Sequence, residues 1–291
     1  MIKIKKAVLP VAGFGTRFLP ATKAIPKEML TIIDKPLIEY AVEEAISAGA
    51  EEIIFITSHT KPAIKKHFSE APELEKKLFD SGKIDLLKKI KPEIFTNIKF
   101  TYIDQAEQKG LGHAILLAEN AVGNDAFSVL LPDDLFLSTP TCLQQILNSY
   151  SKNFQSVIAV NKIDKENIHK YGVIDPGDYE LDEDNTVIVS DIVEKPDAED
   201  APSDIAVVGR YIFNPSIFDC IKKVEADGSG EIQITDAIKL LIQTENVQAK
   251  IFEGNKYDCG SKEGYLEATI AVAMKEPGFS DKIKKIITDK P

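Results

Sequence analysis

Between Val11 and Lys27 the chain reads Val-Ala-Gly-Phe-Gly-Thr-Arg-Phe-Leu-Pro-Ala-Thr-Lys-Ala-Ile-Pro-Lys, a stretch whose residue types could hold a polyphosphate. Gly13 and Gly15 carry no Cβ, so backbone N–H groups can approach an anion and the loop can turn through positive φ. Arg17, Lys23 and Lys27 add three cations, and Pro20 and Pro26 stiffen the segment that carries them. Further on, Asp133 and Asp134 end the run Val129-Leu-Leu-Pro and offer hard oxygen ligands of the kind Mg2+ takes. Gly110 and Gly112, within Gln105-Ala-Glu-Gln-Lys-Gly-Leu-Gly-His113, give a second place where backbone can come close to a ligand.

Other phosphate motifs fit less well. The dinucleotide fingerprint wants a small residue three positions after its second glycine, where this chain has Phe18. A P-loop fails at Gly82-Lys83, which is followed by Ile84 and has Lys77 where the first glycine is required. An ordinary strand-to-helix turn accounts for Gly13 and Gly15, but not for the two prolines that hold Arg17 and Lys27 in place.

These residues fall at the ends of expected strands. Residues 7–11, 53–57, 98–103 and the apolar run before Asp133 read as buried strands, and residues 37–48 carry apolar positions at helical spacing. Strand, helix, strand predicts a right-handed parallel crossover and thus an α/β sheet covered on both faces. Acids at the C-terminal end of such a strand stand where open α/β sheets bind ligands. Residues 62–90 read as a solvated helical face broken at Gly82, and a helix is expected over 113–120. A fifth strand over 156–160 leads to 171–174, 187–193 and 205–213, which read as hairpins around a pocket. A last strand over 247–252 precedes a helix over 262–275.

Lys plus Arg total 35 against 46 Asp plus Glu, a formal charge of -11 that disfavours nucleic acid and anionic membranes as partners. Anionic substrates must therefore be met by local cations and metal. No apolar run is long enough to span a bilayer, and the start Met1-Ile-Lys-Ile-Lys-Lys lacks a signal-peptide pattern, so a cytoplasmic protein is expected. Cys142, Cys220 and Cys259 are too few and too dispersed for a disulfide framework or a thiolate zinc site.

Gly13-Phe-Gly-Thr-Arg-Phe-Leu-Pro-Ala-Thr-Lys23, then Pro26-Lys-Glu-Met-Leu30 and Asp34-Lys-Pro-Leu-Ile38, closely resembles the sugar-nucleotide pyrophosphorylases, and the likeness extends over residues 5–275. The form Ala21-Thr-Lys-Ala-Ile-Pro-Lys-Glu-Met29 is similar to members that transfer uridylyl groups. The resemblance implies a Rossmann-like nucleotidyltransferase fold: a central, mostly parallel mixed sheet flanked by helices, with a smaller sugar-binding β subregion. It implies one domain over 1–291, with a nucleotide half at about 1–136, a sugar half at about 137–275 and a tail at 276–291.

The activity it implies is Mg2+-dependent transfer from UTP to glucose 1-phosphate, giving UDP-glucose and pyrophosphate, in a homodimer or homotetramer. The same chemistry with dTTP or ATP, or a sensor without turnover, are the alternatives. By the resemblance, Ala12, Gly13, Gly15 and Glu28 line the nucleotide and Gln105 and Gly110 hold the uracil. Asp133, in preference to Asp134, and Asp258 bind the metal. Gly172 and Gly209 approach glucose through backbone, within the motifs Tyr171-Gly-Val-Ile174 and Val208-Gly-Arg-Tyr211, where Val208 also lines the sugar. Glu194 accepts its hydroxyls. Arg17 meets the departing pyrophosphate, while Lys195 and Lys27 hold the attacking phosphate. No general base is needed, and the sequence suggests no His–acid pair among His59, His67, His113 and His169.

Overall fold

The structure, a computed structural model, describes residues 3–288. Strand β1 (Lys6–Pro10) runs into a loop of three single 3-10 turns at Thr16–Phe18, Ala21–Lys23 and Lys27–Met29. A small hairpin of β2 (Thr31–Ile32) and β3 (Lys35–Pro36) then returns the chain to helix α1 (Leu37–Ser47). Next come β4 (Glu52–Thr57), α2 (Pro62–His67), α3 (Pro72–Asp80), α4 (Ile84–Ile90), β5 (Lys99–Asp104), α5 (Gly110–Leu116), α6 (Glu119–Val122) and β6 (Phe127–Leu130). The remaining strands and helices begin with β7 (Asp134–Leu137), α7 (Cys142–Asn153), β8 (Ser156–Lys162), β9 (Gly172–Asp175), β10 (Thr186–Ile188), β11 (Asp191–Glu194) and β12 (Ile205–Phe213). They end with α8 (Ser216–Ile221), α9 (Ile234–Leu241), β13 (Val247–Ile251), β14 (Asn255–Asp258), α10 (Lys262–Lys275) and α11 (Ser280–Thr288).

Apolar residues fill both faces of the first strands. In β1, Val8 packs with Ile54, Ile56 and Val129 on one side, while Ala7 and Leu9 pack with Ile53 and Phe55 on the other. Strands buried on both faces suit a parallel sheet sandwiched by helices. The sheet runs β10-β13-β8-β12-β6-β1-β4-β5, with β9 and β11 attached at β12. β1, β4, β5 and β6 pair in parallel, as do β8 and β13, whereas β12 lies antiparallel between β6 and β8 and joins the two sets.

The expected strand over 187–193 is interrupted. Val189 donates its N–H to Val247 O and Ser190 to Asp175 O, so the chain leaves the edge of the main sheet at that point to pair with β9. The helix expected over 113–120 starts earlier, at Gly110, and stops at Leu116. Residues 62–90 form the three helices α2, α3 and α4, tied to the sheet by stacking of Phe68 with Phe55 and Phe100. No helix among the described residues is long and apolar enough to cross a membrane.

One small pairing sets up the site. Just beyond β6 the chain turns through Leu131-Pro132-Asp133 into β7, which pairs antiparallel with β14 so that Asp134 lies opposite Asp258. Acids 124 positions apart in the sequence thereby meet at the end of a central strand.

Candidate active site

The glycine loop is held from within. Gly15 has φ 66, and a Cβ there would stand 2.9 Å from Lys27 Cβ, so the Lys27 side chain passes directly beneath it. Lys61, only 8% exposed, donates to Val11 O at 2.7 Å, Gly13 O at 2.5 Å and Glu28 Oε2 at 3.1 Å. Gln108 Nε2 donates to Ala12 O at 2.8 Å, so three successive loop carbonyls are engaged by side chains. Glu28 is buried, its other oxygen Oε1 has no hydrogen-bond partner, and burial pushes its carboxyl up against the pull of Lys61 and Lys27. Helix α10 braces the same loop: Phe18 meets Tyr265 edge-on at 5.5 Å, and Tyr265 Oη donates to Thr31 O at 2.6 Å.

Cations and acids converge at the next turn. Lys27 Nζ donates to Asp133 Oδ2 at 2.6 Å, and Gly260 N–H donates to Asp258 Oδ1 at 2.9 Å. A side-chain carbon on Gly260 would lie 2.9 Å from Asp258 Oδ1, 3.2 Å from Asp133 Oδ2 and 3.6 Å from Arg17 Nη1. Arg17, Lys27, Asp133 and Asp258 are thus brought together. Burial alone would raise the Asp133 carboxyl, but the charge and hydrogen bond of Lys27 hold it below the ordinary value. Lys27 in turn is raised, because Asp133 and Glu28 outweigh its burial.

Asp134 turns elsewhere. It pairs with Lys256 at 2.8 Å, and burial nevertheless pushes its carboxyl up to about 6. Arg210, 1% exposed, donates to Leu131 O, Gly209 O and Asp134 O at 2.8, 3.1 and 2.8 Å and pairs with Glu44 Oε2 at 3.0 Å, which fixes the turn carrying Asp133. Asp133 and Asp258 fit a Mg2+ ion. Among the described residues no group of three or more His, Cys, Asp or Glu could hold a metal, so an ion on these two carboxylates would take its other ligands from substrate and water. Mg2+, which keeps waters and binds through one or two carboxylates plus phosphates, takes that donor set.

On the side expected to take the base, Gln105 is 4% exposed and its Nε2 lies 3.0 Å from His113 Nδ1 and 3.4 Å from Gly110 O. Burial first, then Lys109, pushes His113 below its usual value, so the neutral ring accepts from the Gln105 amide. His113 does more than start a helix. Gly110 has φ 87 and packs so tightly on Ile232 that a Cβ would meet its carbonyl at 2.8 Å. The turn at 228–230 is tied to Asp227, whose carboxylate accepts from Ser229 N, Glu231 N and Gln233 Nε2.

On the side expected to take the sugar, Glu194 receives Thr235 Oγ1 at 2.6 Å and pairs with Lys195 at 2.9 Å. A Cβ on Gly172 would fall 2.9 Å from Thr235 Oγ1 and 3.3 Å from Glu194 Oε2. Gly209 lies in the irregular stretch of β12 between Val207 and Tyr211, against Asp134. Val208 is 1% exposed with its side chain in the core, which leaves only its backbone to a ligand. Lys256 links the two sides: its ammonium pairs with Asp134 and lies 4.8 Å from the centre of the Tyr171 ring.

Two His–acid pairs do exist, contrary to the sequence reading: His67 with Glu39 at 2.8 Å and His59 with Asp104 at 3.8 Å. Neither includes Asp133 or Asp258. Sequence reasoning missed Lys61, Thr235, Lys256 and Gln108. Lys61 had a signal, since it closely follows the C-terminal end of a parallel strand; Lys256 had none, because its burial depends on β7.

Residues 6–275 match the nucleotidyl transferase family, from the start of β1 to the end of α10. The chain belongs to that family. It is 45% identical over 284 residues to the UTP–glucose-1-phosphate uridylyltransferase of Bacillus subtilis (strain 168), covering 97% of this chain and 96% of that relative. A UTP-bound UGPase from Acinetobacter baumannii superimposes with a TM-score of 0.90 at 39% identity, covering 99% of this chain and 100% of that one. A UDP-glucose pyrophosphorylase complexed with UDP-glucose gives a TM-score of 0.84 at 44% identity, over 94% and 100% of the two chains. These nucleotidyl transferases share with this chain the whole sheet and both of its flanks, not the glycine loop alone.

Proposed function

We infer that this chain transfers the uridylyl group of UTP to α-D-glucose 1-phosphate, releasing pyrophosphate and forming UDP-glucose. The observation that carries the reading is the meeting of Arg17, Asp133 and Asp258 around Gly260, with Lys27 on Asp133, in a chain so similar to a uridylyltransferase. A phosphate oxygen of the sugar attacks the α-phosphorus of UTP in line. One P–O bond forms, the bond from α-phosphorus to the bridging oxygen breaks, and its electron pair leaves with pyrophosphate. The nucleophile is already an anion, so no proton has to be removed, and neither His–acid pair is asked to act.

Bringing two anions together is the difficulty, and positioning and charge neutralisation meet it. Arg17 and the N–H groups of the Gly13–Gly15 loop receive the triphosphate. Lys27 lies on the attacking side, and Lys195, tethered to Glu194 on an exposed side chain, meets the sugar phosphate. Glu194 and the backbone of Gly172, Val208 and Gly209 orient the sugar, while Gln105, Gly110 and Glu28 with Ala12 orient the nucleotide. When held by Asp133 and Asp258, Mg2+ supplies positive charge that offsets the phosphates' repulsion.

The single sheet running through both halves supports one domain, with a nucleotide half at about 1–136 and a sugar half at about 137–275. A cytoplasmic homodimer or homotetramer accords with the family resemblance, and light scattering on the purified chain tests the oligomer. The function is tested by pyrophosphate release with glucose 1-phosphate, Mg2+ and each of UTP, dTTP, ATP and CTP, with a chelator control. Release dominated by UTP and abolished by the chelator is expected; no release from a folded protein that binds UDP-glucose would overturn the reading.

A further inference from the structure

We propose that Lys61 is a positioning residue of the nucleotide site, which works by fixing the glycine loop's peptide planes and makes no contact with the ligand; this rests on the reading above for which ligand the loop receives. Lys61 lies outside the glycine-loop motif, on the turn between β4 and α2. Its N–H donates to Ser58 O at 2.8 Å, which fixes that turn. Its ammonium has three N–H donors and three partners: Val11 O, Gly13 O and Glu28 Oε2.

The two carbonyls decide the orientation of the loop. Val11 N–H still pairs with Ile56 O at 2.8 Å, so the chain leaves the sheet between Val11 and Gly13, where strand pairing no longer orients its peptides. In a trans peptide the C=O of one residue and the N–H of the next point in opposite directions. With Val11 O and Gly13 O drawn inward to Lys61, the N–H groups of Ala12 and Phe14 are aimed away from it. Gln108 acts likewise on Ala12 O and so turns Gly13 N–H. An ammonium suits this task better than a guanidinium, since it is a compact point donor that can serve three oxygens in different directions.

The experiment compares wild type with Lys61→Met, which keeps the stem without donors, and Lys61→Arg, which keeps a cation beside Glu28. UTP binding is measured calorimetrically, KM is measured for UTP, pyrophosphate and glucose 1-phosphate, and circular dichroism reports folding. Both variants are expected to bind UTP about ten- to a hundredfold more weakly, the scale on which outer supports of a site act. KM for UTP and pyrophosphate should rise while KM for glucose 1-phosphate stays within about twofold, because no Lys61 contact reaches the sugar side. UTP affinity within about twofold of wild type in either folded variant would overturn the proposal, as would an equal rise in all three KM values. If neither variant folds, Lys61 is a structural residue and the proposal fails. Wild type that binds UTP without releasing pyrophosphate would refute the proposed reaction and leave the binding comparison valid.

Discussion

The Arg17 guanidinium approaches the same point as the Asp133 and Asp258 carboxylates, and in the proposed reaction it meets the charge that develops on pyrophosphate. Losing one preorganised donor of that kind costs about 10² to 10³ in turnover, so Arg17→Ala should show that loss with saturating substrates. A near-normal rate would remove Arg17 from this role. At the base, the pH dependence follows from His113. Its ring is held below the ordinary 6.5, so the folded chain takes up the proton less readily than the unfolded one. Stability and the Gln105 contact are therefore complete above about pH 6.5 and decline as pH falls through the lower folded value. Affinity for UDP-glucose, which carries no group titrating there, should fall over that window in wild type and fall less in His113→Asn. Arg17, Lys27 and the Asp133–Asp134 acids could be picked out in the sequence by their place, beside the glycines and prolines of the first loop and at the end of an apolar strand. Lys256 could not, since its burial depends on Asp134, a partner supplied by a distant strand, whereas Lys61 was marked only by following the end of a parallel strand.

The site depends on the short β7–β14 pairing and on Arg210, which ties three carbonyls of the neighbouring turns to α1 through Glu44. Glu44 Oε1 also accepts from Leu143 N at 2.9 Å, so α7 joins the same network. Removing one member of a buried ion pair leaves the other charge uncompensated and costs about 3–5 kcal/mol. Arg210→Met should lose that much in urea denaturation, and Arg210→Met/Glu44→Leu should recover part of it. A single variant as stable as wild type would show that the pair does not hold this turn. Among the elements, β12 and α10 were legible with their bounds intact, as their apolar patterns are long and cleanly bounded. The break at Val189–Ser190 was hidden because each side of it is apolar and only the hydrogen-bond partner changes. The start of α5 at Gly110 was hidden by glycines that read as loop.

Taken whole, the chain carries a formal charge of -11, yet Arg17, Lys27 and Lys61 follow the C-terminal ends of β1 and β4, beside the acids that follow β6. The parallel half of the sheet was legible from strand, helix and strand in order. The joining of the halves was not, because it rests on β12 running antiparallel between β6 and β8, a pairing between residues far apart in the chain. That joining, with the return of β14 to β7, is what brings Asp133 and Asp258 to one place. The most direct test is the affinity for Mn2+, a spectroscopic stand-in for Mg2+, measured by electron paramagnetic resonance in the presence of UDP-glucose. Asp133→Asn and Asp258→Asn should each weaken it by more than about tenfold, beyond the effect of losing an outer-shell partner, while Asp134→Asn, acting through Lys256, changes it less. Equal affinity in wild type and in both Asp133→Asn and Asp258→Asn would contradict the shared site.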